Sequence, residues 1–240
     1  MTTKMQKLFS IGMALLLFSC NETKKEEATE AGVPVTDSTA SSKVNPEPVF
    51  QPFDIVEIAH TVKDFDKWKP VFINDSTARK ESGLSELVLG RGMDNPNEMR
   101  VVLECADLAK AKAFMADPRL KAVMEKGGVN TKPDVQFYKI VRFNPDAKEK
   151  KWVIIDHKVK DFDAWLKVFD QEGDAKRAEE GLFDAALGRG IDDPNLVHIV
   201  FDVKDVEKAK ASLNSADKIK LMQSAGVEGK PMIKFYNTAE

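Results

Sequence analysis

The chain has 240 residues and carries 36 Lys and Arg against 39 Asp and Glu, for a formal charge of −3. Its cations alternate with acids instead of gathering on one stretch, which excludes the basic face that nucleic-acid binding needs. With two cysteines, Cys20 and Cys105, the first at the end of an apolar leader, no intramolecular disulfide is expected and the cores must hold the fold.

Lys4 and Lys7 precede an apolar run from Leu8 to Phe18. The run is too short to span a bilayer as a mature helix, so residues 1–19 are read as a signal peptide. Leu17-Phe18-Ser19-Cys20 resembles the lipobox of bacterial lipoproteins, which implies that Cys20 is lipidated and anchors the chain to a lipid membrane. Asn21 follows the Cys where Asp would mark inner-membrane retention. The resemblance therefore implies a cell-envelope protein on the outer membrane of a Gram-negative bacterium. Residues 20–52 are rich in Glu, Lys, Thr, Ser and Pro and nearly free of large apolar residues, so they cannot bury enough surface to fold and are expected to form a disordered tether.

Beyond the tether the chain repeats itself. His60-Thr61-Val62-Lys63-Asp64-Phe65-Asp66-Lys67-Trp68 returns as His157-Lys158-Val159-Lys160-Asp161-Phe162-Asp163-Ala164-Trp165, and Gly90-Arg91-Gly92-Met93-Asp94-Asn95-Pro96-Asn97 returns as Gly188-Arg189-Gly190-Ile191-Asp192-Asp193-Pro194-Asn195. A period this long means two copies of a small domain, not a solenoid. The boundaries read as 53–143 and 151–240, joined by a linker over 144–150.

Each copy opens with a strand whose helix-facing side is Val56, Ile58, His60 and Val62, or Val153, Ile155, His157 and Val159, by the period of two. Asp64 and Asp161 are placed to cap a helix, and Phe65, Trp68, Val71 and Phe72 form its apolar stripe, running to a stop near Gly83 or Gly181. Two strands follow, Leu84 to Arg91 and Met99 to Cys105, around the turn Asp94-Asn95-Pro96-Asn97, whose Pro and Asx residues preset φ and bond their own backbone. A second helix, broken near Asp117-Pro118, leads to a last strand over Val135 to Val141, matched by Met232 to Tyr236. The order βαββαβ, twice, gives an α+β fold of two ferredoxin-like repeats. The sheet face away from the helices still carries Ile55, Trp152, Leu87 and Leu89, so the two sheets are expected to pack on each other within one chain. The product is a monomer with an internal pseudo-dimer.

H-x-V-x-D-F-D-x-W, then G-R-G-x-D-x-P-N, then A-G-V-x-G-x-P and a terminal Phe-Tyr strand resemble the dimeric α+β barrel superfamily, the group of the antibiotic biosynthesis monooxygenases. The resemblance covers nearly all of the chain beyond Pro52. It implies a pocket between sheet and helices and a range of activities from cofactor-independent oxygenation to none.

Within that frame His60 and His157 are the candidate catalytic residues, since a neutral imidazole on an apolar strand face can act as a general base. The alternative is that each ring packs in the core and bonds a backbone group. Trp68 and Trp165 could stack on a flat ligand or simply fill the core. Arg91 and Arg189 could clamp an anion, or pair with Asp94 and Asp192 across the turn. No metal and no cofactor are expected. Gly90-x-Gly92 lacks the third glycine and the following helix of a dinucleotide motif, Asp192, Asp193 and Asn195 lack the bidentate Glu of a calcium loop, and His60, His157 and His198 have no ligands at zinc spacing. The haem-degrading branch places its His on a helix, whereas both repeated histidines here lie on strands. Three functions stay open: a lipoprotein binding a small apolar or aromatic molecule in a barrel pocket, a cofactor-independent monooxygenase-like enzyme, and a non-catalytic structural or interaction module.

Overall fold

The computed structural model of the protein describes residues 50–239; the expected signal peptide, Cys20 and most of the tether lie outside them. The first repeat runs β1 (Phe53–Thr61), α1 (Phe65–Asn74), α2 (Ser76–Glu81), β2 (Leu84–Gly92), β3 (Glu98–Cys105), α3 (Leu108–Met115), α4 (Pro118–Lys126) and β4 (Asp134–Phe143). The second runs β5 (Lys151–Val159), α5 (Phe162–Glu172), α6 (Asp174–Glu179), β6 (Leu182–Gly190), β7 (Leu196–Val203), α7 (Val206–Leu213), α8 (Ala216–Ser224) and β8 (Val227–Thr238). No helix among the described residues is long and apolar enough to cross a membrane.

The eight strands form a closed antiparallel barrel in the order β1-β3-β2-β8-β5-β7-β6-β4. Each repeat contributes four neighbouring strands, and the two sets join at two seams, β2 with β8 and β4 with β6. The helices cover the outside. One face of each sheet packs against them, with Val56, Ile58, Leu84 and Met99 around Trp68 in the first repeat, and Val153, Ile155, Leu182 and Val197 around Trp165 in the second. The opposite faces meet inside the barrel, where Ile55, Val102, Tyr138 and Ile140 oppose Trp152, Ile154 and Tyr236.

Local chemistry explains most boundaries. The Asp64 carboxylate accepts from the Asp66 and Lys67 amides, and Asp161 does the same for Ala164, so both first helices start at the expected cap. The first helical segment is nevertheless two helices in each copy, not one. Gly173 sits at φ +80°, ψ 151°, which no helix accommodates, and Asp75 leaves the helical region at ψ 3°. A buried arginine closes each elbow: Arg79 donates to the Phe72 carbonyl at 2.6 Å and lies over that ring, while Arg177 donates to the Phe169 carbonyl at 2.8 Å and to both Asp184 oxygens. The second helical segment does break at Asp117-Pro118, where proline takes the first position of α4. The last strands are longer than read, because β4 and β8 extend to pair across both the sheet and a seam.

Leu89 corrects the expected face pattern. β2 carries a bulge between Glu86 and Val88, and β6 one between Asp184 and Ala186. The extra residue moves every later side chain to the other face. Leu84 and Leu89 therefore both join the helix-side core, Val88 turns into the barrel, and Leu87 is left half-exposed at the bulge. Leu182 and Leu187 repeat the pattern.

The Gly-Arg-Gly motif is the seam. A Cβ on Gly90 would lie 2.4 Å from Trp152 Cζ2, and one on Gly188 would lie 3.0 Å from Ile140 Cδ1 and 3.1 Å from the Lys139 carbonyl. Gly92 and Gly190 have no room for a side chain either, because the turn carbonyls of Asn95 and Asp193 would stand 2.8 and 2.5 Å away. Without Gly90 and Gly188 the strand from the other repeat could not approach as closely at the seams, and without Gly92 and Gly190 the adjoining turns could not fold as tightly.

Candidate functional site

His60 and His157 lie near the ends of the helix-facing rows of β1 and β5, each followed by one buried valine, Val62 or Val159. Both are buried, and each ring leans on a tryptophan, Trp68 or Trp165, at a centroid distance of 5.5 Å. The expected backbone bond is absent. All four ring nitrogens are buried without a hydrogen-bond partner, and burial lowers both pKa values to about 4, so the rings are neutral at pH 7. Beside each lies a small cavity between sheet and helices, about 50 Å³ at His60 and about 60 Å³ at His157. Trp68 and Trp165 line them but stack on Phe72 and Phe169 at 4.9 and 5.2 Å, so each indole already has an aromatic neighbour on one face.

The arginines of the repeat do not pair with turn acids. Arg91 donates to the Pro96 carbonyl at 2.9 Å and covers the Phe65 ring at 3.9 Å; Arg189 donates to the Pro194 carbonyl at 3.0 Å and covers Phe162 at 4.2 Å. Carbonyls and ring faces hold both guanidinium groups outside the barrel, away from the two histidine cavities. Asp192 pairs instead with Lys112 at 2.6 Å, and Asp193 with Lys158 at 2.7 Å, which commits the turn carboxylates.

The most concentrated polar chemistry lies inside the barrel, where the repeat pattern marks the two tyrosines of the Phe-Tyr strands but not their charged partners. Arg100 from β3 donates to Glu57 Oε1 of β1 at 2.7 Å and, from Nε and Nη2, to the Tyr236 hydroxyl of β8 at 3.0 and 2.9 Å. Tyr236 donates on to Glu98, which Lys234 also reaches at 3.2 Å. From the second repeat His198 Nδ1 meets Asp156 Oδ1 at 2.7 Å, and its ring stacks on Tyr138 at 4.3 Å. His198 Nε2 stands 3.9 Å from Glu57 Oε2, and that oxygen has no partner. Burial raises the Glu57 pKa against the pull of Arg100 and His198; burial also opposes charge on His198, but the Asp156 and Glu57 carboxylates outweigh it and raise the imidazole pKa. Glu57, Asp156 and His198 bring ligand-type atoms within 4.8 Å of one another. Such a set suits a divalent ion in kind, but the Arg100 guanidinium occupies the other Glu57 oxygen and repels a second cation there.

Above this polar layer the barrel holds a cavity of about 390 Å³. Ile55, Val102, Ile140, Trp152, Ile154 and Val200 form its walls, and His198 is among its lining residues. Phe53, Phe143 and Leu87 also line it, and Phe143 and Leu87 are exposed. Phe50, likewise exposed, packs on Phe53 at 6.1 Å, and Phe53 meets Phe143 edge-on at 5.6 Å. Lys148 and Glu149, also exposed, share the mouth with these apolar side chains, and the cavity's size is within the range of small-molecule sites.

No family model matches the chain, and no curated protein matches it in sequence. Solved structures do. An anthrone oxidase-like protein superposes with a TM-score of 0.53 at 12% identity over 78% of this chain and 92% of its own. A candidate monooxygenase of Fusobacterium nucleatum subsp. nucleatum gives 0.52 at 12% over 78% and 93%, and a candidate chlorite dismutase gives 0.51 at 12% over 80% and 96%. These structures share the fold described above, an antiparallel α+β barrel with helices on its outside. At this identity the likeness reaches the backbone arrangement and stops there, because one such barrel serves many chemistries.

Proposed function

We propose that the protein is an envelope lipoprotein, anchored through Cys20, whose barrel binds a small apolar or aromatic molecule. The observation that carries this reading is the cavity of about 390 Å³ inside the barrel, walled largely by aliphatic and aromatic side chains and opening beside Phe143, Leu87, Lys148 and Glu149. The cavities beside His60 and His157 are far smaller and supply secondary pockets at most. Titrating the soluble domain, from residue 50 onward, with naphthalene-sized aromatics tests the reading by quenching of Trp152 fluorescence. Saturable quenching with micromolar affinity supports it, and a Val200→Trp substitution that fills the cavity abolishes that quenching.

The oxygenase-like reading is favoured by one feature, the pair of unpartnered neutral imidazoles at His60 and His157. On that reading either ring is the general base. A base with a pKa of about 4 is weak at neutral pH, which makes binding the better-supported function. Incubation with an anthrone in an oxygen electrode separates the two: oxygen uptake lost in His60→Ala plus His157→Ala assigns the enzyme, and no uptake assigns the binder.

A further inference from the structure

Inside the barrel, Glu57 comes from the first repeat and His198 from the second, and their facing atoms are 3.9 Å apart. That is too long for a direct hydrogen bond, whereas an oxygen about 2.8 Å from each would bridge them; His198 lines the cavity and Glu57 lies directly behind it, outside the lining. We propose that the ligand of the barrel cavity is a neutral hydroxyl compound, a phenol or alcohol with an apolar body, whose hydroxyl bridges Glu57 Oε2 and His198 Nε2. The inference rests on the binding reading above and specifies the head group it requires.

Three observations select a hydroxyl. First, Glu57 is 1% exposed and its Oε2 is unpartnered, a costly state that a ligand's polar group relieves. Second, Asp156 fixes His198 through Nδ1, so the remaining ring nitrogen is the one that faces Glu57. One proton between this pair leaves one donor and one acceptor across the gap, whichever residue holds it. A hydroxyl both donates and accepts, so it complements both arrangements, whereas a carbonyl, which only accepts, or an ammonium, which only donates, complements neither fully. Third, the charge around the gap is already balanced: Glu57, Asp156 and Glu98 face Arg100, Lys234 and a His198 that its acidic neighbours favour in the charged form. A carboxylate head would bring a further negative charge against Glu57 and Asp156. The apolar walls receive the body of the molecule and the mouth admits it.

The test is a calorimetric series on the soluble domain with 1-naphthol, naphthalene and 1-naphthoate, together with zinc. The expected order places naphthol about tenfold or more tighter than naphthalene, since a site built around a hydroxyl rejects the analogue that lacks it, and naphthoate weakest. Glu57→Gln and His198→Phe each remove the preference for naphthol while leaving naphthalene affinity within about twofold. Equal binding of naphthol and naphthalene overturns the hydroxyl assignment and leaves the binding reading intact. Tightest binding of naphthoate replaces the hydroxyl with an anion, and zinc binding that excludes naphthol replaces it with a metal. If none of the three aromatics binds, the binding reading itself fails. The wild-type series decides these outcomes even where a variant does not fold.

Discussion

His60 and His157 are the residues in which repetition and physics meet. Each buries an imidazole with no partner and a pKa of about 4, against about 6.5 in an unfolded chain. Between those values the unfolded chain binds protons that the folded one refuses, so stability falls as pH drops through that window and is unaffected above it. From pH 7 to pH 5 each histidine is expected to cost about 2 kcal/mol. Urea midpoints at the two pH values measure this, and His60→Phe plus His157→Phe should flatten the loss; an unchanged pH dependence in the double variant would assign the acid sensitivity elsewhere. Both histidines were legible because the repeat prints them twice. Glu57, Asp156 and His198 were not, since the matching positions are Ile154, Ala59 and Arg100 and the partners come from strands of different copies. A site made of differences between repeats leaves no motif. Arg79 and Arg177, in contrast, do recur in the sequence, and helical spacing alone gave no reason to place a guanidinium under an elbow.

At the level of elements, the order of strands and helices follows from periodicity and caps, but face assignment does not survive the β2 bulge. A period of two predicts Leu89 inside the barrel, and one inserted residue sends it to the helices. The Gly-Arg-Gly motif was equally visible and equally unreadable, because its purpose is a contact with a strand from the other copy. That contact predicts a specific non-additivity. Gly90→Ala places a methyl within 2.4 Å of the Trp152 ring and should destabilise by about 1–3 kcal/mol through overpacking. Trp152→Phe, which removes the clashing ring atoms, should recover much of that loss in the double variant. Thermal melts of the four proteins give the coupling, and additivity within about 0.3 kcal/mol would mean that the strand shifts instead of straining the indole.

For the whole molecule, the two seams and the polar layer make the repeats interdependent. Arg100 with Tyr236, Glu57 with His198 and Lys234 with Glu98 all cross between copies, and each half alone would expose its inner face to water. Cutting the chain between Asn144 and Lys150 and producing residues 50–147 and 148–240 separately should yield halves that are poorly folded or self-associated. Mixing them should give a one-to-one complex by native mass spectrometry. Stable monomeric halves would contradict the interdependence. Linking the halves replaces a concentration-dependent encounter with an intramolecular one, equivalent to millimolar partner concentration.

Closure of the ring has a further consequence. Every described strand has a hydrogen-bonded neighbour on both sides, so the barrel leaves little sheet edge on which another extended chain could add, chiefly the start of β2, where pairing with β8 covers only Gly90 to Gly92. An open four-stranded sheet displays two such edges, and proteins held close together on one surface meet each other's edges often. By closing its own sheet the chain removes most of the template for β-addition and runaway polymerisation.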